Sequence, residues 1–184
     1  DLGYLMYDIN DMYNPDETVN FLSNQRQFYF PIILKYSAPD RLEVSQMNSG
    51  RHAFVIRISD MYLVSAEAAL MQSNNGKAYQ RLVDLANARA INGNGTELLS
   101  AYGVNGAGDV DIDFILDERA RDLATEDFRF FDLKRTGKLE ERIRAHNPEA
   151  SVNFKPFHAL RPIPQIQLDA VVNKSEFYQN EGYN

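Results

Sequence analysis

Two helical segments separated by a short turn constrain the fold of this chain more than any other feature of its sequence. Ile56 to Gln72 predicts a helix whose alanines and serine, between positions 65 and 69, allow a second helix to approach closely. Ser73-Asn74-Asn75-Gly76 has the composition of a turn, and Lys77 to about Ala90 predicts a second, amphipathic helix. Together the two segments are expected to form a helical hairpin.

The hairpin has the length and small-residue pattern of one tetratricopeptide unit. Arg57 to Ala90 spans 34 residues, and Ala66, Ala78 and Leu82 stand where that repeat has small, small and larger apolar residues. One such unit cannot bury its own faces, and arrays of this kind need about three units to be stable. The sequence therefore predicts a mainly α fold in which something else covers the hairpin, with long irregular loops elsewhere.

Composition and charge exclude several classes of protein. The 184 residues carry a formal net charge of -7, so the chain lacks the basic field that nucleic acid or an anionic membrane would require. No apolar run approaches the roughly 20 residues that span a bilayer. The absence of cysteine excludes disulfides and thiolate metal sites.

A charged and aromatic stretch from Asp113 to Gly137 permits two interpretations. It is either a reaction centre or an ion-pair lattice that holds helices together around Phe128, Phe130 and Phe131. On a continuous helix, the backbones at Glu118 and Glu126 would lie about 12 Å apart along the axis, which exceeds the roughly 5 to 9.5 Å between glycosidase carboxylates. We therefore expect a structural lattice, in which Arg129→Ala lowers the melting temperature, made by Glu118, Arg119, Glu126, Arg129, Asp132 and Arg135.

Other catalytic and metal-binding patterns are not found in the sequence. Its three histidines lack the spacing of zinc ligands, and it contains no nucleophile elbow, Walker loop or dinucleotide fingerprint. Asp109, Asp111 and Asp113 resemble a calcium loop, but Phe114 and Ala120 replace its glycine and its bidentate glutamate. Asp111 or Asp113 is instead expected to cap a helix. We predict no catalytic residue, no cofactor and no metal.

The first 30 residues are rich in aromatic and amide side chains. Tyr4, Tyr7 and Tyr13 stand among asparagines and aspartates, a combination typical of sugar-binding surfaces, in which a ring covers the apolar face of a pyranose. The alternative is that these rings fix a loop to the core. Tyr4, Tyr7 and Tyr13 are our candidate ligand-binding residues.

Five segments resemble motifs of the SusD/RagB family. Ile56 to Ala68 resembles its "RYADVLLMYAEA" helix, and Ala86 to Ala90 resembles its "LNxVRxRA" helix end. Asp113 to Gly137 is similar to "ILxERRRELxxEGxRxxDLxRTG", although Asp127 replaces the usual glycine. Pro162-Ile163-Pro164 and Gln179 to Tyr183 resemble the "PIP" turn and the terminal "QNPGY".

The resemblance implies a SusD-like, mainly α protein that captures nutrients without chemistry. Residues 1–55 would then be a loop-rich aromatic segment of the upstream region, and residues 56–184 the C-terminal helical region. Family members are surface-exposed outer-membrane lipoproteins of Bacteroidetes that deliver glycans to a TonB-dependent, SusC-like transporter. By this resemblance, the chain is the C-terminal part of such a protein, and it partners an N-terminal part that carries the lipid anchor.

Two alternatives to glycan capture remain open. Some relatives of the RagB type bind peptides, and competition between peptides and oligosaccharides would separate these two functions. A glycan-cleaving enzyme is the more distant alternative, and it requires a product that disappears in the Glu118→Gln variant.

Overall fold

Helices and the turns between them make up the part of the chain that the computed structural model describes, which is residues 34–36, 42–43, 52, 54–126, 128–173 and 175–183. These ranges contain no strand, so the predicted mainly α fold is confirmed. The α-helices are α1 (Ile58–Met71), α2 (Asn75–Asn87), α3 (Gly95–Ala101), α4 (Ile112–Asp122), α5 (Arg129–Arg135), α6 (Leu139–His146), α7 (Pro148–Ser151) and α8 (Gln165–Ala170). None of the described helices has the length and apolar character needed to cross a membrane.

The chain divides into two compact units, Asp1–Ala53 and Phe54–Asn184. In the first unit, Leu34–Tyr36 form a single turn of 3-10 helix. Helices α1 to α8 all belong to the second unit. The assignment of residues 1–55 and 56–184 to two regions of a longer protein stays a prediction.

Helices α1 and α2 form the predicted hairpin. Ala66, Ala78 and Leu82, the positions typical of a tetratricopeptide unit, are all at most 1% exposed. Helix α2 begins earlier than predicted because the Asn74 side chain caps it, accepting a hydrogen bond from the backbone N–H of Lys77 at 3.2 Å. Close packing of these small and apolar residues explains why the two helices make the most extensive helix contact in the described chain.

Helix α3 is an addition that none of the sequence patterns predicts. Its N-cap is Asn94, whose side chain accepts a hydrogen bond from the backbone N–H of Glu97 at 3.1 Å. Gly95 follows and lies against the end of α2, where its own N–H donates to the Asn87 side chain at 2.7 Å. A Cβ at this position would lie 2.4 Å from the Asn87 nitrogen, so the approach requires glycine.

The stretch from 113 to 137 lies in two helices, α4 and α5. Helix α4 is capped by Asp111, whose carboxylate accepts from the Phe114 N–H at 2.7 Å, which confirms the capping interpretation of this aspartate. Helix α5 ends at Arg135, and the chain turns at Gly137, where φ is +72°; the N–H of Lys138 donates back to the Leu133 carbonyl at 2.8 Å. The break after α4 allows side chains of α4 and α5 to face each other.

The C-terminal tail closes onto the proline turn. The Gln179 side chain makes two hydrogen bonds to the backbone of Ile163, at 2.8 and 2.9 Å, and the Asn180 amide donates to the Arg161 carbonyl at 2.7 Å. Tyr183 packs edge-on against Phe157 with 5.1 Å between ring centroids. The two terminal motifs of the sequence therefore form one structural element that fixes the backbone at residues 161–163.

Two apolar clusters form the described core. The larger lies between the hairpin, α3 and α4 and contains Leu63, Leu82, Leu99 and Ile115. The smaller contains Leu116, Leu133 and Leu139, and it joins α4 to α5 and α6. Since Ile115 and Leu116 are adjacent on α4 and belong to different clusters, this helix is the element that connects both parts of the core.

Candidate functional site

The three candidate ligand-binding tyrosines, Tyr4, Tyr7 and Tyr13, lie outside the described residues. Their role in binding therefore stays a prediction. The six charged residues of the expected lattice are all described, and the structure gives each of them its partners.

Arg119 is the central cation of the network. Its side chain, on α4, is 4% exposed and donates from Nε to Asp132 Oδ2 and from Nη1 to Asp60 Oδ1, both at 2.7 Å. Asp60 lies on α1 and Asp132 on α5, so one guanidinium joins three helices. Because the three groups are buried together, removal of the cation would leave two carboxylates without compensation.

Arg135 extends the network towards the surface. Its Nη2 donates to Glu67 Oε2 at 2.8 Å and to Asp132 Oδ1 at 2.9 Å, and its Nη1 makes a second contact with Glu67. The Glu67 carboxylate, by accepting these hydrogen bonds, raises the pKa of the Arg135 guanidinium. Each oxygen of Asp132 is thus engaged by a different arginine, which fixes α5 against α1 and α4.

Glu126 holds the chain that leaves α4. Its Oε1 accepts from Arg57 Nε at 2.8 Å, and the same guanidinium donates from Nη2 to the Asp122 carbonyl at 2.7 Å. Arg57 is the N-cap residue of α1. The ion pair therefore ties the end of α4 to the start of the hairpin.

Glu118 is buried on α4 and faces two arginines. It accepts from Arg121 Nε at 2.9 Å and lies 3.6 Å from Arg89 Nη1, just beyond the end of α2. Arg89 also forms an ion pair with Asp122. A carboxylate engaged in this way has its position set by the helices around it, and it lies outside the cleft described below.

Arg129 differs from the other five lattice residues. Its Nη1 donates to the Leu116 carbonyl at 2.6 Å, but its carboxylate contact in the described chain is with Asp117 at 3.9 Å. The side chain is partly exposed, and desolvation, followed by repulsion from Arg142, lowers the pKa of Arg129. Arg129 therefore links α5 to α4 through a backbone acceptor and only weakly through charge.

The lattice is not centred on all three phenylalanines. Phe128 packs on the larger apolar cluster and Phe130 on the smaller, whereas Phe131 is 63% exposed. The expectation that the helices are oriented around Phe131 is therefore wrong. Phe131 lies on the outer side of α5, away from the side on which Asp132 and Leu133 are buried.

Four residues that pair with the lattice lie outside residues 113–137, and the sequence prediction did not include them. They are Arg57, Asp60, Glu67 and Arg89, all on or next to the hairpin helices. A signal was available, because Asp60 and Glu67 are acidic residues within the otherwise apolar α1. The segments 56–68 and 86–90 therefore supply counter-charges for residues 113–137.

A second group of charges links α4 to α6. Lys138 donates to Asp113 Oδ2 at 2.9 Å and Arg142 donates to Asp113 Oδ1 at 3.0 Å. The hydrogen bond from Lys138 lowers the pKa of Asp113 most strongly, and Arg142 adds to it against the opposing effect of desolvation. The same contact with Asp113 raises the pKa of Lys138.

A cleft of about 690 Å³ opens beside the lattice, next to α4, α5 and the segment that precedes the proline turn. Its volume lies within the roughly 300–1,000 Å³ typical of ligand sites. Its aromatic, polar and cationic lining includes Thr125, Phe128, Arg129, Phe130, Phe131 and Arg161.

The cleft has the chemistry of a binding site more than that of a catalytic one. Asp132 is the carboxylate in its described lining, and both its oxygens accept hydrogen bonds from arginines. Glycoside cleavage requires two carboxyl groups directed at the substrate. In the described part of the chain, no group of three or more histidine, aspartate or glutamate side chains is arranged to hold a metal ion.

Arg161 is a cleft residue that sequence patterns did not single out. Its guanidinium lies over the Phe130 ring, 4.7 Å from the ring centroid. Only its position directly before Pro162-Ile163-Pro164 hinted at a fixed orientation.

Comparison with protein families gives one match. A family model described as SusD family matches residues 5–183. Comparisons with curated proteins and with solved structures give no match.

Proposed function

Because the chain belongs to the SusD family, we propose that it captures oligosaccharides at the cell surface and delivers them to a TonB-dependent, SusC-like outer-membrane transporter. The observation that carries this proposal is the family match over residues 5–183. Proteins of this family are nutrient- or glycan-binding, associate with the outer membrane and are generally not catalytic.

The contacts of the carboxylates support binding without chemistry. Glu118 and Asp132, the acids of α4 and α5 with the deepest burial, are each held by two arginines. Asp132 lines the cleft, but both its oxygens already accept hydrogen bonds from arginines, and Glu118 lies outside the cleft lining. Incubated oligosaccharides are expected to remain intact when analysed by chromatography, and cleavage that disappears in Glu118→Gln would contradict this part of the proposal.

Tyr4, Tyr7 and Tyr13 are the residues that we propose for ligand contact. Replacement of all three by alanine is expected to weaken oligosaccharide binding without lowering the melting temperature, because a ring whose contact area serves a ligand contributes little to the core. Isothermal titration of a panel of oligosaccharides measures the affinity, and thermal unfolding measures the stability. A matched control is Tyr178→Ala, which removes a ring that is 78% exposed in the second unit.

Unchanged affinity in the triple variant would remove the three tyrosines from the binding site. A lowered melting temperature would show instead that the rings fix the chain to its core. Competition between peptides and oligosaccharides tests the alternative of peptide capture. If a peptide displaces every bound sugar, peptide capture replaces glycan capture as the proposed function.

The proposal includes a lipid-anchored position on the outer face of the outer membrane and a complex with the transporter. Outer-membrane association of the family supports this position. Protease treatment of intact cells is expected to digest the protein, and affinity purification is expected to recover a SusC-like transporter. Full protection of the protein in intact cells would contradict surface exposure.

A further inference from the structure

We propose that the cleft beside α4 and α5 binds the carboxylate-bearing sugar of an acidic oligosaccharide, a uronate. This inference rests on the proposed capture of oligosaccharides and specifies one ligand class. The residues that carry it are other than the three N-terminal tyrosines. Its basis is a cationic cleft in an acidic chain, together with exposed aromatic surface and strained backbone at its edge.

The charge of the cleft is opposite to that of the whole chain. The protein carries -7, but the described lining contains three arginines and one aspartate. Arg119 and Asp132 are paired with each other, and their remaining groups are engaged by Asp60 and Arg135. The two other cations, Arg129 and Arg161, are therefore the source of positive potential in the cleft.

Arg161 has a guanidinium that is free to receive an anion. In the described part of the chain it has no hydrogen-bond or ion-pair partner, and it lies over the Phe130 ring. Its backbone is held by the Asn180 amide at 2.7 Å, so the side chain projects from a fixed position. A planar guanidinium with two adjacent donors matches the geometry of a carboxylate.

Arg129 provides a second cation that is incompletely compensated. Its carboxylate contact in the described chain, with Asp117, is 3.9 Å long, and burial disfavours its charged form. An anion in the cleft would relieve this cost, because arginine retains its proton in proteins. A carboxylate that pairs with Arg161 would thus lie in a cleft whose lining also contains the cation of Arg129.

Aromatic surface in the cleft matches the rest of a sugar ring. Phe131 is 63% exposed and meets Phe130 edge-on, with 5.8 Å between ring centroids. An exposed ring offers an apolar face on which the C–H face of a pyranose can pack. A combination of cations and open phenyl rings therefore favours an acidic sugar over a small inorganic anion, which would leave Phe131 in water.

Backbone strain marks the same edge of the cleft. Thr125 has φ of +68°, a left-handed conformation that is an outlier for a β-branched residue. Such strain persists only where surrounding structure enforces it, and it is concentrated at binding and active sites. The adjacent Glu126 is held by Arg57, so the lattice supplies the enforcement.

The test uses isothermal titration of the whole chain with oligogalacturonate and with its methyl ester, which has the same sugar rings without the charge. The free acid is expected to bind, and the ester is expected to bind about tenfold or more weakly, because a charge-assisted hydrogen bond is lost. Arg161→Gln and Phe131→Ala are each expected to reduce the affinity for the acid by a similar factor. Arg144→Gln, which removes a surface arginine paired with Glu140 outside the cleft, is expected to leave the affinity unchanged.

Three results would overturn the proposal. They are equal binding of acid and ester, binding of the acid that Arg161→Gln does not change, and binding at this cleft of a peptide carboxylate in the absence of any uronate. Thermal unfolding verifies that the variants are folded, which is expected because Arg161 and Phe131 are surface residues. If neutral oligosaccharides bind and the acid does not, the cleft proposal fails alone, whereas failure of all oligosaccharides to bind contradicts the proposed function itself.

Discussion

At the scale of single residues, burial decides which charges of the lattice matter for stability. Arg119 is 4% exposed and compensates two carboxylates, whereas Arg129 is partly exposed and relies on a carbonyl. Breaking a buried pair costs about 3 to 5 kcal/mol, while one ordinary hydrogen bond contributes about 1 kcal/mol. The structure therefore assigns the largest expected effect to Arg119, whereas the sequence prediction named Arg129→Ala.

We predict that Arg119→Ala lowers the free energy of unfolding by about 3 to 5 kcal/mol, because Asp60 and Asp132 would remain buried without a cation. Arg129→Ala is expected to cost about 1 kcal/mol. Arg144→Ala is the control, since its exposed pair with Glu140 is worth roughly 0 to 1 kcal/mol. Denaturant unfolding measures all three, and an Arg119 variant as stable as the control would show that the buried network is dispensable.

At the scale of elements, close backbone approach determines how α3 joins the hairpin. Gly95 is in contact with the last turn of α2, and its missing side chain is what permits the contact. Gly76, in the first turn of α2, has open space where a Cβ would stand. A side chain could therefore be accommodated at Gly76 but not at Gly95.

We predict that Gly95→Ala destabilises the protein by about 1 to 3 kcal/mol or more, because its Cβ would lie 2.4 to 2.8 Å from backbone atoms of α2 that cannot move aside. Gly76→Ala is expected to be neutral or to stabilise by up to about 1 kcal/mol, since alanine restricts the unfolded chain. Thermal unfolding of both variants provides the comparison. Equal melting temperatures for the two variants would contradict the contact between α3 and α2.

At the scale of the whole molecule, ion pairs connect elements that are far apart in sequence. Arg119 and Arg135 join α1 to α4 and α5, and Asp113 joins α4 to α6 through Lys138 and Arg142. These links cover the same interfaces as the two apolar clusters. Stability should therefore depend on pH wherever such a pair has a shifted pKa.

We predict that the contribution of Asp113 is lost in acid and that of Lys138 in base. The pKa of Asp113 is lowered from 3.8, so its stabilisation is complete above that value and is lost as pH falls through the lower, folded-state value. The pKa of Lys138 is raised from 10.5, so its stabilisation is complete below that value and is lost as pH rises further.

The measurement is the difference in melting temperature between the natural chain and Asp113→Asn across pH. This difference is expected to be largest between about pH 5 and 9 and to shrink on both sides. Asp169→Asn, an exposed aspartate that accepts a hydrogen bond from Gln165, is the control and should show a small, flat difference. A difference for Asp113→Asn that grows in acid would contradict the ion pair with Lys138.

The sequence by itself determined the helical hairpin, a helix cap at Asp111 or Asp113, and the family. These features depend on local periodicity, on side chains within three or four residues of each other and on motif order, all of which are present in the linear chain. Tertiary structure decided that residues 113–137 form two helices, that Asp60 and Glu67 supply the counter-charges, and that Arg161 stands beside Phe130. The partners of Arg119 are 59 and 13 residues away, so no local pattern could identify them, because only the packing of α1 and α5 against α4 brings their carboxylates within 2.7 Å.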